Sequence, residues 1–399
     1  MDALTTPSNW QKVRLGDIAE IKRGASPRPI ENPKWFCTNS NVGWVRISDI
    51  SKNSRFLYKT AQKLSKKGIE KSRLVKQNSL IMSMCTTIGK PIITKIDTCI
   101  HDGFVVFENP KIDLNYLYYF LCYIEKEWLE SGQQGSQVNL NVDLIKNKEV
   151  FYPKDLNEQI AIANILSGLD HYLYTLDALI LKKESVKKAL SFELLSQRKR
   201  LKGFNQNWQR VRLGDICEFG NGEAYETLIV ENGDFKLISL NSIDIDGNLK
   251  NTMKRVNFYD NSLKQDDIVM VLSDIAHGDF LGLCAVIPSN DYVLNQRMGR
   301  LRIRNDCINI LFLRLYINAN QKYFKMQGQG SSQLNLSKKA IEDFEIPLPP
   351  LNEQIAIANI LSGLDHEIIS LKNKKRQFDN IKKALNHDLM SAKIRVLKK

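Results

Sequence analysis

The chain says the same thing twice. Leu156 to His171 reads LNEQIAIANILSGLDH, and Leu351 to His366 repeats all sixteen residues 195 positions later. Trp10 to Ile18 (WQKVRLGDI) returns as Trp208 to Ile216 (WQRVRLGDI) at an offset of 198, and Gly132 to Leu140 (GQQGSQVNL) returns as Gly328 to Leu336 (GQGSSQLNL) at 196. Three echoes at nearly one offset define two tandem units, roughly 1 to 200 and 203 to 399, so whatever the chain folds into it builds twice. Between the echoes, about 24 to 125 and 220 to 318, there is little identity. A frame that is held while its middle differs suits one architecture presenting two different surfaces; duplication followed by drift, or recent recombination, is the competing account.

Each unit opens with a Trp and the β-prone VRLGDI, in which Gly16 or Gly214 is expected to supply turn freedom. Short apolar runs broken by Gly, Asn, Asp and Pro follow: VGWVRISDI, NSLIMSM, KPIITKI and GFVVF in the first unit, FKLISL, DDIVMVL, GLCAVI, YVLNQ and GRLRIR in the second. These predict short strands joined by turns, with one helix over Leu114 to Leu129 and its counterpart over Ile308 to Met326. Prolines mark the exit from each globule (Pro153; Pro347, Pro349, Pro350), and a long helical pattern begins. Leu166, Leu173 and Ile180 fall seven apart in the first unit, with Leu194 two heptads further on and Leu169, Leu176 and Leu190 alongside. In the second, Leu364, Leu371, Phe378 and Leu385 do so, as do Leu361 and Ile368, with Leu389 resuming that row after two lysines. Such spacing lays an apolar stripe on one side of a helix, and two stripes bury each other. The predicted fold is α+β: two β-rich globules (1–153 and 203–349) alternating with helical spacers (154–202 and 350–399) that pack as an antiparallel coiled-coil pair with pseudo-twofold repetition. About 40 residues at 1.5 Å each give a rod on the order of 60 Å, expected to hold the globules a fixed distance apart.

Of the residues, 43% are hydrophobic and 25% charged, an ordinary globular balance. No apolar run of membrane-spanning length and no signal-peptide pattern appears, so a cytoplasmic protein is expected. The seven cysteines are scattered and odd in number, without C-x-x-C or paired histidines, and read as reduced core residues. The net charge of +13 is concentrated in His171 to Lys202 and His366 to Lys399, leaving the rest nearly neutral. Clustered positive charge fits either a solvated Lys-rich helix face or attraction to a polyanion or acidic partner. Enzyme signatures are missing: Asn32-Pro33-Lys34-Trp35 and Asn109-Pro110-Lys111 lack the second proline of a DNA-methylating motif, Gly89-Lys90 is not a P-loop, Glu20-Ile21-Lys22 is too short to mark a nuclease centre, and the five histidines have no zinc or general-base spacing.

A β-rich variable region, a proline, and L-N-E-Q-I-A-I-A-N-I-L-S-x-L-D opening a long helix, all present twice, resemble the specificity subunit of type I restriction-modification systems. The similarity spans essentially the whole chain; its most specific parts are Glu158-Gln159 and Glu353-Gln354, the W-x-x-V-x-L-G-D-I openings and the basic helix ends. The resemblance implies that each globule is a target recognition domain reading one half of a split, asymmetric double-stranded DNA site. It also implies that the helices set the gap between the halves. Two methyltransferase subunits would dock on the helices and supply the active site and S-adenosylmethionine, leaving this chain without a cofactor or metal of its own, and motor-nuclease subunits would join for cleavage. Helix residues expected at partner docking are Glu158, Gln159, Leu166, Leu173, Glu353, Gln354, Leu361, Leu364 and Leu371.

Base edges are read by Arg, Lys, Asn, Gln, Ser or Thr, and phosphates mainly by Lys and Arg. The first globule's candidates are Ser83, Thr86, Thr87 and Lys90 in the loop after NSLIMSM; the second offers Ser273 and His277. Asn295-Gln296-Arg297 places Gln296 beside Arg297, a pair suited to adenine and guanine edges, where the first globule has His101-Asp102-Gly103. The Gly-Gln segments offer Gln133, Gln134, Gln137, Gln329 and Gln333 as groove contacts, although a structural turn explains them equally. Arg23, Arg28, Arg46, Lys322 and Lys325 are phosphate candidates. A protein-binding adaptor remains the alternative, since nearly neutral globules fit DNA less readily than basic ones.

Overall fold

The computed structural model describes residues 8–51, 55–131, 140–275 and 278–396. They form two compact units, 1–177 with 374–399, and 178–373. The boundary cuts through both long helices, so each unit is a globule plus the start of its own helix and the end of the other.

In the first unit the opening strand Trp10–Arg14 pairs antiparallel with Glu149–Pro153, the last strand before the helix, so entry and exit of the globule are stitched together. The main sheet runs Glu20–Arg23, Phe104–Glu108, Leu80–Ser83, Pro91–Thr94, Phe56–Leu57, and a second has the order Gln62–Lys63, Gly43–Val45, Thr98–Ile100, Arg73–Val75. Leu80–Ser83 is buried along its whole length because Leu80 and Met82 face one core and Ile81 another. The second unit repeats the plan. Gln209–Arg212 pairs with Glu345–Leu348. One sheet has the order Cys217–Asn221, Met298–Ile303, Ile268–Val271, Cys284–Val286, and another the order Lys254–Val256, Phe235–Ile238, Tyr292–Leu294. Parallel pairings that an alternating pattern does not announce occur in both units: Gly43–Val45 with Thr98–Ile100 and Phe56–Leu57 with Pro91–Thr94 in the first, and Phe235–Ile238 with Tyr292–Leu294 in the second.

Two local expectations are corrected. The VRLGDI element does not turn at its glycine; LGDI is a single helical turn (Leu15–Ile18 and Leu213–Ile216). Gly16 and Gly214 are needed for close approach instead: a Cβ on Gly16 would lie 3.2 Å from Lys146 Cβ, and one on Gly214 2.8 Å from Glu342 Cβ. The single helices expected before the Gly-Gln segments are each broken in two, as Leu114–Tyr123 with Glu125–Ser131 and as Ile310–Ala319 with Gln321–Gln327.

The long helices are Leu156–Leu195 and Leu351–Met390, each of 40 residues. Leu166, Leu173, Leu176, Ile180 and Leu194 are buried on the first, Leu361, Ile368 and Leu389 on the second; Leu364, Leu371, Phe378 and Leu385 are half-buried. Lysines of both helices, among them Lys187, Lys375 and Lys382 where the heptads are interrupted, bond across the pair. In the first unit Lys382 pairs with Asp170 and Lys375 with Asp177 at 2.7 Å; in the second Lys187 pairs with Asp365 and Lys372 with Glu184 at 2.8 Å. Lys382–Asp170 and Lys187–Asp365 are the same pair under the 195-residue repeat, and they place the end of each helix against the start of the other, antiparallel. Both helices end on a left-handed residue, Gln197 (φ 61°) and Ala392 (φ 59°), closed by bonds from Lys199 N to Glu193 O (3.1 Å) and Ile394 N to Asp388 O (3.2 Å). No helix among the described residues is long and apolar enough to cross a membrane.

Candidate nucleic-acid interface

The Glu-Gln pairs that open both helices are turned inward. Glu353, fully buried, accepts from Trp208 Nε1 (2.9 Å) and from Arg200 Nη2 and Nε (2.6 and 3.2 Å). Glu158 accepts from Trp10 Nε1 (3.2 Å) and Asn9 Nδ2 (2.9 Å), with Arg395 at 3.6 Å. Gln159 donates to Pro153 O (2.8 Å) and accepts from Asp113 N (2.7 Å); Gln354 donates to Pro349 O (2.8 Å) and Cys307 O (3.0 Å) and accepts from Asn309 N (2.8 Å). In each unit this clasp ties together the opening Trp, the start of the globule's helix, the exit proline and the basic tail of the other long helix. Beside it Leu389 and Met390 enter the first core, and Leu194 and Leu195 the second. The docking role expected for Glu158, Gln159, Glu353 and Gln354 is therefore corrected: their polar atoms are consumed within the chain. Leu166, Leu173 and Leu361 are likewise buried in the packing. Side chains that the helices do expose include Leu156, Ile160 and Ile165 and their repeats Leu351, Ile355 and Ile360.

The chemistry that differs between the globules gathers at one equivalent turn. Each parallel strand, Thr98–Ile100 or Tyr292–Leu294, runs into it, and the next sheet strand begins after it. Gly24 and Gly222 press against it at matching points: a Cβ would lie 2.0 Å from His101 O and 2.1 Å from Asn295 O, so only glycine fits. In the first globule Asp102 organises this place. It accepts from Ser26 Oγ (2.7 Å) and Arg28 Nη2 (3.0 Å), its carbonyl takes Arg23 Nε (2.7 Å), and Arg73 Nε donates to Arg23 O. Burial alone would raise the Asp102 carboxyl, but the bonds from Ser26 and the backbone, with Arg28 nearby, hold it below its ordinary value. His101 accepts from Gly103 N at Nδ1 (3.0 Å), and burial lowers its pKa. In the second globule Glu226 holds the turn: Oε1 accepts from Asn295 Nδ2 and Oε2 from Gln296 Nε2, both at 2.9 Å, while Asn295 Oδ1 takes Tyr225 N (3.0 Å). The bond from Gln296 is the largest cause keeping Glu226 below its ordinary pKa. Arg297 follows, exposed and at φ 68°, a left-handed conformation uncommon for a non-glycine residue. One place in the repeat is thus arginine-rich in one globule and amide- and carboxylate-rich in the other.

Arg23, Arg28, Gln296 and Arg297 come together at these turns. Ser83 and Ser273 do not join them: Ser83 is fully buried and donates to Cys85 O (2.8 Å), Ser273 is buried and donates to Asn335 Oδ1 (2.6 Å), and both are removed as contacts. Thr86 is exposed at φ 60°, and Thr87 and Lys90 are half-buried in the same loop, which reaches the turn through the bond from Met84 N to Gly103 O (2.8 Å). Arg46 is committed to Gln62 (2.9 Å) and Lys325 to Asp279 (2.9 Å), while Lys322 is exposed. Gln329 and Gln333 belong to a hairpin in which residues 329 and 335 exchange backbone bonds, and Gln333 also donates to Asn335 Oδ1 (3.1 Å). Gln133, Gln134, Gln137 and His277 lie outside the described residues. Sequence reasoning passed over Ser26, Arg73 and Glu226 and gave Asp102 no role. Nothing in the sequence tied the acidic pair to these turns, because their partners lie about 70 residues away.

Duplicated globules with unlike polar turns on one repeated helical frame define a recognition protein built from two modules. Its two repeats match the model of the type I restriction modification DNA specificity domain over residues 7–183 and 205–378, and the chain belongs to that family. It is 26% identical over 426 residues to the type I restriction enzyme MjaVIII specificity subunit of Methanocaldococcus jannaschii, covering 99% of this chain and 95% of the relative. Among solved structures, the type I restriction-modification S subunit from M. genitalium superposes with a TM-score of 0.64 at 17% identity, covering 98% of this chain and 97% of that one. A chain from a structure of type I restriction-modification complex assembly gives 0.61 at 16%, covering 97% and 98%. The chain is a DNA-specificity subunit of such a system, which assembles with other subunits, and those subunits carry the catalytic activities.

Proposed function

We propose that this subunit directs a type I restriction-modification complex to a bipartite, asymmetric site in double-stranded DNA, each globule reading one half and the helical pair fixing the gap. The observation that carries this reading is the equivalent turn: one frame, held by the same clasp, presents Arg23, Arg28 and Asp102 in one globule and Glu226, Gln296 and Arg297 in the other. Unlike readers on like scaffolds suit unlike half-sites. Two methyltransferase subunits dock on the exposed apolar side chains that both helices repeat, Leu156, Ile160 and Ile165 with Leu351, Ile355 and Ile360. They bring S-adenosylmethionine, they contribute much of the phosphate clamp that nearly neutral globules lack, and motor-nuclease subunits complete the complex in the cytoplasm. The test is a map of methylated adenines in cells expressing the chain with its modification partner, against cells without it. A split motif of two short unlike halves that disappears with the chain supports the reading. Unchanged methylation beside an active partner overturns it in favour of an adaptor.

A further inference from the structure

The carboxylate of Glu226 fixes which way the Gln296 amide faces. An ionised carboxylate only accepts hydrogen bonds, so the amide group facing Glu226 Oε2 at 2.9 Å is the NH2, and Gln296 Oε1 is turned away from it. The alternative of rotating Glu226 is closed, because its other oxygen is held by Asn295 Nδ2 at 2.9 Å. Asn295 in turn is buried and pinned through its Oδ1 by Tyr225 N at 3.0 Å. One amide hydrogen and the carbonyl oxygen of Gln296 are therefore left as an adjacent donor and acceptor. That is the pattern complementary to N7 and N6 of adenine in the major groove; a guanine edge, with two acceptors, fits an arginine. The next residue is such an arginine: Arg297 is exposed, and its charge acts on the Glu226 carboxylate without a hydrogen bond to it among the described residues.

Resting on the DNA-reading function above, we propose that Gln296 and Arg297 read an adenine and a neighbouring guanine in the half-site of the second globule, with Glu226 as the positioning residue that sets the polarity of the Gln296 amide. Glu226 touches no base; it acts by refusing to donate. Replacing it with Gln makes this acceptor partly a donor. Because Asn295 still requires an acceptor, the new NH2 faces Gln296, whose amide must then flip and present the opposite pattern to DNA.

The experiment is adenine-methylation mapping of the full complex carrying the wild-type chain, Gln296→Ala, Glu226→Gln or Arg297→Ala. The wild-type motif is expected to contain, in one half only, an A next to a G. Gln296→Ala and Glu226→Gln are both expected to lower discrimination at that A, by roughly ten- to a hundredfold, and Arg297→Ala at the adjacent G, with the other half untouched. Gln296 is only half-buried, so its truncation tests the idea even if Glu226→Gln fails to fold. A wild-type motif without the A-G pair in either half, or one unmoved by Gln296→Ala, overturns the proposal and leaves the specificity function standing. A wild-type chain that directs no motif overturns that function itself.

Discussion

The two clasps are the same device built to different tightness, and the difference predicts unequal stability. Glu353 is fully buried and receives two bonds from Arg200, whose side chain is 28% exposed; Glu158 has Arg395 only at 3.6 Å, and that arginine is 45% exposed. Breaking a buried ion pair by removing one partner costs about 3–5 kcal/mol, because the remaining charge is stranded. Arg200 can partly rehydrate, so Glu353→Ala is expected near the lower bound, about 3 kcal/mol, with the bond to the Trp208 indole included. For a unit of this size each kcal/mol moves the melting temperature by about 2–4 °C, which gives a drop of roughly 6–12 °C. The looser pair behaves as a surface bridge, with a coupling below about 1 kcal/mol. Double-mutant cycles, Glu353→Ala with Arg200→Ala and Glu158→Ala with Arg395→Ala, measured by denaturant unfolding, separate the pair from the rest of each site. A coupling for Glu158 and Arg395 equal to or larger than that for Glu353 and Arg200 would refute the reasoning, as would a Glu353→Ala shift under about 2 °C.

Three further outcomes follow from particular contacts. Gly214→Ala should destabilise by about 1–3 kcal/mol and cost more than Gly16→Ala, because the added Cβ meets Glu342 Cβ at 2.8 Å rather than Lys146 Cβ at 3.2 Å; equal costs in an unfolding titration count against the close-approach account. Burial holds His101 below its ordinary pKa of 6.5, so the unfolded chain takes up the proton first and stability falls as pH drops below about 6.5. His101→Asn should flatten that part of the stability curve between pH 7 and 5, and an unchanged slope would show that His101 is not the titrating group. Inserting about one helical turn between Leu173 and Leu195 should change the gap between methylated half-sites and leave both halves intact, read from the methylation map; altered halves would contradict the spacer role.

The repeat, the two globules, most core strands and the helices were legible because each is a local pattern: sixteen identical residues, apolar runs between turn formers, a seven-residue stripe. What stayed hidden depends on contacts far apart in the chain. The Glu-Gln signature was visible, but its inward direction follows from Trp10 and Arg395 meeting Glu158, partners about 150 and 240 residues away. Ser83 looked available because a strand normally has one wet face, yet this strand has a core on each side. Gln296 and Arg297 stood out by residue type as candidate contacts, whereas Glu226 carries a charge that DNA repels, and only its two bonds show that it belongs to the same turn.

These contrasts explain how one scaffold tolerates divergent readers. The clasp joins segments that must change together: Glu353 serves Trp208 and Arg200, and Gln354 serves Pro349, Cys307 and Asn309, so a substitution at either centre strands several partners at once. The turn is different. Asp102 holds Ser26 and Arg28, Glu226 holds Asn295 and Gln296, and each set is closed within its own globule. Exchanging two or three residues there alters the donor and acceptor pattern without disturbing the clasp, because Gly24 and Gly222 meet only the backbone of the turn. On the proposed reading, specificity is written where packing constrains the main chain and leaves the side chains free, and the frame stays fixed where buried polar groups depend on one another.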